Sequence, residues 1–435
     1  MPKIYQVQPI RVTENLKTVT IPGSKSDTNR ALVIASLAKG KSRLQGVSES
    51  DDSRLLIKAL QQLGVKFHTV NNTDLEIFGL GAEFKPFFGE LNCGIAGTTG
   101  RFLAAISALV PGDFILTGEK KMLERPMLEL LEALKQLGCQ IDYLQNHGCL
   151  PVRFVNPEPI SKIQKTSHIR LKGNISSQFF TALLLIAPTL HLGLTIEVIG
   201  NQVSKSYIHM TQSILGQFGI EMLNENYRRY IIRPGQTYQT KTYQVEGDAS
   251  GCSYFWGIAA ITGQAIQVAN IDPNSVQGDI KFADILGQMG CQVTKDFTQK
   301  TITVKGPVNC QQLKPITVDM ENMPDTAQTL AVVAAFAPGK TKITGLSTLK
   351  DKETNRLVAM QTELAKMQIQ VDLGPDWMLI HGSNPKAAEI CTYNDHRMAM
   401  SFAVAGTKIP GIKIQNPEVV NKSFPEFWTK LESLI

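Results

Sequence analysis

Residues 325–346 read DTAQTLAVVAAFAPGKTKITGL: a charged start, an apolar helical stretch, a glycine, then a β-rich run. The same grammar occurs five more times. It appears as SDTNRALVIASLAKGKSRLQGV from Ser26, TTGRFLAAISALVPGDFILTG from Thr98 and SSQFFTALLLIAPTLHLGLTIEVIG from Ser176. It returns as DASGCSYFWGIAAITGQAIQVANI from Asp248 and DHRMAMSFAVAGTKIPGIKIQNP from Asp395. The punctuating glycines are Gly40, Gly112, Gly193, Gly263, Gly339 and Gly411, about 70 to 80 residues apart. A unit of one sixth of the chain, present six times, organises this sequence.

Working outward from each copy, a second amphipathic stretch ends in a short turn before a strand. Compare ALQQLGVKF from Ala59, ALKQLGCQI from Ala133, ILGQFGIEM from Ile214, ILGQMGCQV from Ile285 and ELAKMQIQV from Glu363. The glycine in that turn is the left-handed residue that closes a helix; only the fifth copy departs, with Gln368. The sixth copy runs out in FPEFWTKLESLI, so the N-terminal strand is expected to complete it. Each unit therefore predicts β–α–β–α–β–β, and the six form two groups of three. The break is expected near QTKTYQVEGD, Gln239 to Asp248. The alternative is a single open α/β sheet.

Size agrees with two domains: 435 residues exceed what one core of about 250–300 residues holds. With 43% hydrophobic and 19% charged residues the chain is globular rather than disordered. A net charge of +6 favours an anionic small partner and is too mild for a nucleic-acid binder. The longest apolar run, Phe179 to Pro188, is too short to span a bilayer. The N-terminus carries no apolar signal-like stretch, so a cytoplasmic protein is expected. Seven scattered cysteines without CxxC are expected to be reduced thiols, and seven histidines without HExxH support no zinc site.

The chemistry concentrates at the helix starts. Arg30, Arg101 and Arg397 fall in first turns, with Ser26, Thr98, Ser176 and Ser177 as cap candidates. A cation there opposes the helix dipole. One reading pairs each arginine with a neighbouring carboxylate; the other makes helix N–H groups and guanidinium converge on an anion. Recurrence at equivalent positions favours the anion. Lys25 in PGSKS precedes a helix, and Arg125 precedes Pro126, an expected helix N1 residue. Lys352 and Arg356 are expected on one helical face, four residues apart, with Glu353 adjacent; alone, such a cluster is a solvated face. Gly40-Lys41-Ser42 fails as a phosphate loop, because Ala35 stands where the earlier glycine is required.

The motifs PGSKSDTNRA, LERP, SSQF, VSKSY, EGDAS, KETNR, YNDHRMAM and NKSFPEFW run in order from Pro22 to Trp428. Together they resemble the 5-enolpyruvylshikimate-3-phosphate synthase family of enolpyruvyltransferases. The resemblance implies an α/β fold, an inside-out α/β barrel of two domains, each of three βαβαββ repeat units. The domains would be 24–246, and 1–23 with 247–435, with the active site in the cleft between them and closure on binding. The implied reaction moves the enolpyruvyl group of phosphoenolpyruvate to the 5-hydroxyl of shikimate 3-phosphate, releasing phosphate. The implied protein is a monomer with no metal or organic cofactor and no nucleic-acid or membrane partner.

Carried over motif by motif, Ser26, Arg30, Ser176, Ser177, Gln178, Ser204, Tyr207, Asp325 and Lys352 would hold shikimate 3-phosphate. Lys25, Gly97, Arg125, Gln178, Arg356, Arg397 and Lys422 would hold phosphoenolpyruvate. Asp325 would be the base at the hydroxyl, unless its role is to cap the following helix. Glu353 and Lys25 would move protons at the methylene, with His396 and Lys422 beside the leaving phosphate. Gly94 to Phe102 reads GIAGTTGRF where the family usually reads GNAGTAMRP, so Ile95, Gly100 and Phe102 depart; Thr348 stands where the family often has Asn. The rival readings are a related enolpyruvyltransferase using a nucleotide or UDP-sugar acceptor, and a non-catalytic anion-binding protein on the same fold. No cysteine stands between Thr117 and Arg125, where the UDP-sugar enzyme usually carries one.

Overall fold

Strand Phe87–Asn92, helix Gly97–Ser107 and strand Gly112–Thr117 make one parallel crossover, with Phe87 opposite Gly112. Helix Leu128–Leu137 and the hairpin Ile141–Tyr143/Val152–Asn156 follow, and the hairpin closes antiparallel on the second strand. The residues dictate this layering. The central strand alternates, burying Phe114 and Leu116, the period-two pattern of a strand covered on one face. Helix Gly97–Ser107 is buried on every side, so its polar residues Thr99 and Arg101 bond partners inside the protein. The outer helix Leu128–Leu137 buries only Leu130, Leu131, Ala133, Leu134 and Leu137.

The computed structural model describes residues 3–435, and in them this unit recurs as five four-stranded sheets and one of three strands. The chain exchanges strands at two places. Lys17–Thr20 lies parallel to Ala265–Ala269 and supplies the fourth unit's first strand. Thr242–Gln244 lies parallel to Lys39–Gln45 and supplies the first unit's. The expectation for the sixth unit holds: Ile4–Gln6 pairs antiparallel with Lys413–Gln415.

The chain divides into one compact unit of Gly23–Val245 and another formed by the N-terminal segment to Pro22 with Glu246–Ile435. Each has its own apolar core. Just past each crossing stands a glycine under a carbonyl: a Cβ on Gly23 would lie 1.9 Å from the Gly46 oxygen, and one on Gly247 equally close to that of Asn270. No side chain fits either place. All seven cysteines are free. No described helix is long and apolar enough to cross a membrane.

The turn after the second helix is left-handed wherever the sequence predicts it, at Gly64, Gly138, Gly219 and Gly290. Gln368 adopts the same conformation, with φ of 63°, although it has a Cβ. The repeat geometry overrides the residue. An exposed non-glycine residue in this region costs about 1 kcal/mol, so Gln368→Gly should stabilise the protein by about that amount in urea unfolding. A loss of stability would show that the glutamine side chain compensates for its backbone.

Candidate active site

In the Gly23–Val245 unit, Ser24 rather than Ser26 caps helix Lys25–Leu37, accepting from the Asp27 N–H. Ser26 and Lys25 thus lie inside the first turn. Lys25 Nζ meets Asp52 Oδ2 at 2.9 Å with both side chains largely buried. Asp52 also ties in the next unit, because its carbonyl accepts from Thr99 Oγ1 at 2.8 Å. Sequence reasoning missed Asp52; its only signal is an acidic residue in the first turn of helix Asp51–Gln62.

Arg30 is 2% exposed and bonds only neutral acceptors: Thr211 Oγ1 at 3.0 Å, the Ser26 carbonyl at 2.7 Å, the Tyr207 carbonyl at 3.3 Å and Thr181 Oγ1 at 3.5 Å. Burial lowers its pKa to about 10, against the pull of Asp27. The alternative reading, in which each arginine bonds a neighbouring carboxylate, therefore fails for Arg30 among the described residues. Arg30 instead clamps three helix starts together and fixes Ser26 and Tyr207. Phe102, one of the departures from the family pattern, lies under its guanidinium at 5.8 Å.

Helix Gly97–Ser107 begins after Ala96 with no side-chain cap, so Thr98 is not the cap the sequence suggested. Its first N–H groups and dipole are left for an anion. A Cβ on Gly97 would lie 2.5 Å from both Arg101 Nη1 and Arg125 Nη1. Only glycine admits two guanidinium groups to this helix start. Arg101 donates to Gln178 Oε1 at 3.1 Å and to the Pro126 carbonyl at 3.3 Å. Gln178 in turn donates to Thr98 Oγ1 at 3.1 Å. Arg125 is 8% exposed, and its buried Nε bonds nothing. Pro126 is not helix N1, because that helix starts at Leu128.

Ser176 does cap helix Ser177–Ile186, accepting from the Gln178 N–H at 3.3 Å, with Ser177 buried in its first turn. Ser204 precedes helix Lys205–Gln217 in the left-handed region, φ 53°, and its carbonyl accepts from Tyr207 N–H. At Gly100, a Cβ would crowd Cys93 and Met122 at 3.0 Å. That departure answers local packing.

In the other unit, Arg356 is the hub. It is 1% exposed, and its Nε donates to Asp395 Oδ2 at 2.8 Å, its Nη1 to Asp325 Oδ1 at 3.1 Å and its Nη2 to Glu353 Oε2 at 2.9 Å. Burial opposes its charge, but Asp395, Glu353 and Asp325 more than offset that and raise its pKa. Helix Arg356–Lys366 starts at Arg356, capped by Asn355. Lys352 therefore lies outside the helix, and the solvated i, i+4 face suggested by the sequence does not exist. Lys352 Nζ stands 3.7 Å from Asp325 Oδ1.

Arg397 donates through Nη2 to Asp325 Oδ2 at 2.9 Å and through Nη1 to the Asp325 carbonyl and Tyr254 hydroxyl at 3.1 and 3.3 Å. Asp325 is not a helix cap: it sits in the turn Pro324–Thr326, ahead of helix Ala327–Ala334. Lys422 Nζ bonds Glu353 Oε1. Asp395, which sequence reasoning passed over, caps helix His396–Gly406 through the Arg397 N–H and faces His396 Nδ1 at 3.5 Å. Glu353, Asp395 and His396 bring donor atoms within 4.8 Å of one another. Both carboxylates already engage Arg356, and Glu353 also engages Lys422, so fixed cations stand where a metal would.

Four basic side chains face three carboxylates in this cluster, and two guanidinium groups attend an uncapped helix start in the other unit. Such a pairing suits a protein that takes small, highly anionic substrates. The EPSP synthase (3-phosphoshikimate 1-carboxyvinyltransferase) family model matches residues 11–431. The 3-phosphoshikimate 1-carboxyvinyltransferase of Photobacterium damsela subsp. piscicida is 41% identical over 436 residues, covering 98% of each chain. That of Proteus mirabilis (strain HI4320) is 42% identical over 436 residues, again covering 98% of each. A solved EPSP synthase from Acinetobacter baumannii matches with a TM-score of 0.80 at 25% identity, over 99% of this chain and 98% of that one. This chain belongs to the EPSP synthase family.

Substitutions at two positions test the geometry. Arg356→Met removes one buried cation from three carboxylates, which should cost about 3–5 kcal/mol of stability in urea unfolding at neutral pH. Arg356→Lys, which keeps a cation, should cost less; an equal cost would mean lost packing rather than lost charge. Gly97→Ala should push aside the buried Arg101 and Arg125 guanidinium groups and lower the melting temperature. An unchanged melting temperature would show that the two arginines do not depend on the missing Cβ.

Proposed function

We infer that this chain transfers the enolpyruvyl group of phosphoenolpyruvate to the 5-hydroxyl of shikimate 3-phosphate and releases inorganic phosphate. The observation that carries this reading is the Asp325–Lys352–Glu353–Arg356–Arg397–Lys422 cluster, in which bases, acids and anion-binding cations are interleaved within one network. Ser26, Arg30, Ser176, Ser177, Gln178, Ser204 and Tyr207, with Asp325 and Lys352, take shikimate 3-phosphate. Lys25, Gly97, Arg125, Gln178, Arg356, Arg397 and Lys422 take phosphoenolpyruvate. Bidentate guanidinium groups match phosphate and carboxylate, and lysines add point charge.

The acceptor oxygen attacks C2 of phosphoenolpyruvate and loses its proton to Asp325, while C3 gains a proton. The resulting ketal then loses a proton from C3 as the C2–O bond to phosphate breaks. Glu353 and Lys25 serve the C3 proton in both directions, and His396 and Lys422 stand by the departing phosphate. Asp325 is held by two guanidinium groups, which favour its ionised form. Its competence as a base therefore comes from position more than basicity. Arg356, enclosed by three carboxylates, orients Asp325 and Glu353 before it serves substrate. The reading extends to a cytoplasmic monomer that uses no metal or organic cofactor and needs no nucleic-acid or membrane partner.

The test is phosphate release from phosphoenolpyruvate with shikimate 3-phosphate, compared with UDP-sugar and nucleotide acceptors. Release with shikimate 3-phosphate alone is expected. Release only with another acceptor reassigns the substrate, and none with any acceptor ends the enzyme reading. Asp325→Ala should lower kcat by about 100-fold or more if it is the general base; near-normal turnover would remove it from that role.

A further inference from the structure

Glu363 belongs to neither set of substrate residues. It lies near the end of helix Arg356–Lys366 and has no solvent exposure. Its carboxylate is spent on the segment that leads to Asp395. Oε1 accepts from the Tyr393 hydroxyl at 2.7 Å, and Oε2 from the Cys391 N–H at 3.0 Å. Lys366 Nζ donates to the same Oε2 at 2.7 Å and to the Glu389 carbonyl at 3.4 Å.

That segment turns sharply before the helix that carries Arg397. The Asp395 N–H donates to the Thr392 carbonyl at 2.8 Å, so Tyr393 and Asn394 are the two central residues of the turn. Both are left-handed, with φ of 53° and 56°. Turns with positive φ at both central positions favour Asn-Gly, and an asparagine tolerates this region far better than a tyrosine does. Tyr393 thus holds a conformation that its own backbone disfavours, while its hydroxyl and the amide two residues earlier are both tied to Glu363.

The consequence falls on the charged cluster of this unit. Helix Arg356–Lys366 grips the segment at two points. Arg356 Nε holds Asp395 Oδ2 at 2.8 Å, and Glu363 holds Cys391 and Tyr393. Asp395 in turn caps helix His396–Gly406 by accepting from the Arg397 N–H at 2.9 Å. We propose that Glu363 is a positioning residue for the transfer reaction: by anchoring the Thr392–Asp395 turn through Tyr393 and Cys391, it fixes the helix start from which Arg397 reaches Asp325 and phosphoenolpyruvate. This rests on the functional reading above. The role needs shape rather than charge. A glutamine amide in the same place accepts from the Cys391 N–H and Lys366 through its oxygen, and donates to the Tyr393 oxygen through its nitrogen.

The test compares wild type, Glu363→Gln, Glu363→Ala and Tyr393→Phe, with kcat and the KM for each substrate. Glu363→Ala should raise KM for phosphoenolpyruvate about tenfold and Tyr393→Phe about threefold, with kcat and the KM for shikimate 3-phosphate moving less. Glu363→Gln should stay near wild type. Backbone amide exchange, followed by mass spectrometry of peptides across 389–397 in the substrate-free protein, should quicken in Glu363→Ala and Tyr393→Phe but not in Glu363→Gln. Equal rises in both KM values, or a lower melting temperature with both KM values kept, would make Glu363 a merely structural residue and overturn the proposal. So would a Glu363→Gln variant as impaired as Glu363→Ala. The exchange measurement needs no turnover, so a wild type inactive with shikimate 3-phosphate would sink the functional reading while the anchoring of the turn is still decided. Should Glu363→Ala fail to fold, Tyr393→Phe decides, because that side chain is 36% exposed and the change removes only its hydroxyl.

Discussion

The buried guanidinium of Arg356 is the constraint on which the charged cluster of its unit depends. It holds Asp395, Asp325 and Glu353 at hydrogen-bond distance from a position almost without solvent. Taking these charges out of water is expensive, and their mutual attraction repays it only while the geometry is kept. Each carboxylate then passes the constraint on. Asp325 positions Arg397 and Lys352, Glu353 positions Lys422, and Asp395 caps the helix that carries His396 and Arg397. The cations are thus held in fixed orientations by carboxylates of the chain itself.

The Gly23–Val245 unit meets the same problem with different chemistry. Its central cation, Arg30, is bonded by hydroxyls and carbonyls, which hold a guanidinium without neutralising it. The burial cost shows as a lowered pKa rather than a raised one. At Gly97 the constraint is steric: the missing Cβ makes room for two guanidinium groups at a helix start. One unit thus surrounds its most buried arginine with carboxylates and the other with neutral dipoles, on the same repeated βαβαββ frame.

Much of this was legible in the chain. Period and punctuation predict the six units, because a repeated helix–glycine–strand pattern recurs wherever the same supersecondary unit must bury the same face. The completion of the sixth sheet by the N-terminal strand follows from counting strands. Ser176 as a cap also follows from local pattern. Local pattern fails at single positions. Ser24 displaces Ser26 as cap, Ala96 leaves its helix uncapped, and Gln368 takes a glycine's conformation because the repeat demands it.

Sequence alone therefore determined the repeat, the α/β class and the placing of Arg30, Arg101 and Arg397 near helix starts, since each depends on neighbours a few residues away. Tertiary structure decided the partners. Arg356 meets Asp395 39 residues on, Arg397 meets Asp325 72 residues back, and Arg30 meets Thr211 181 residues on. It also decided that Arg356 is a buried hub and not a solvated face, and that Asp52 pairs with Lys25 and Asp395 with Arg356. The reason is physical: a side chain's charge is written in its type, but the burial and partners that set the energy of that charge exist only once distant repeats are packed.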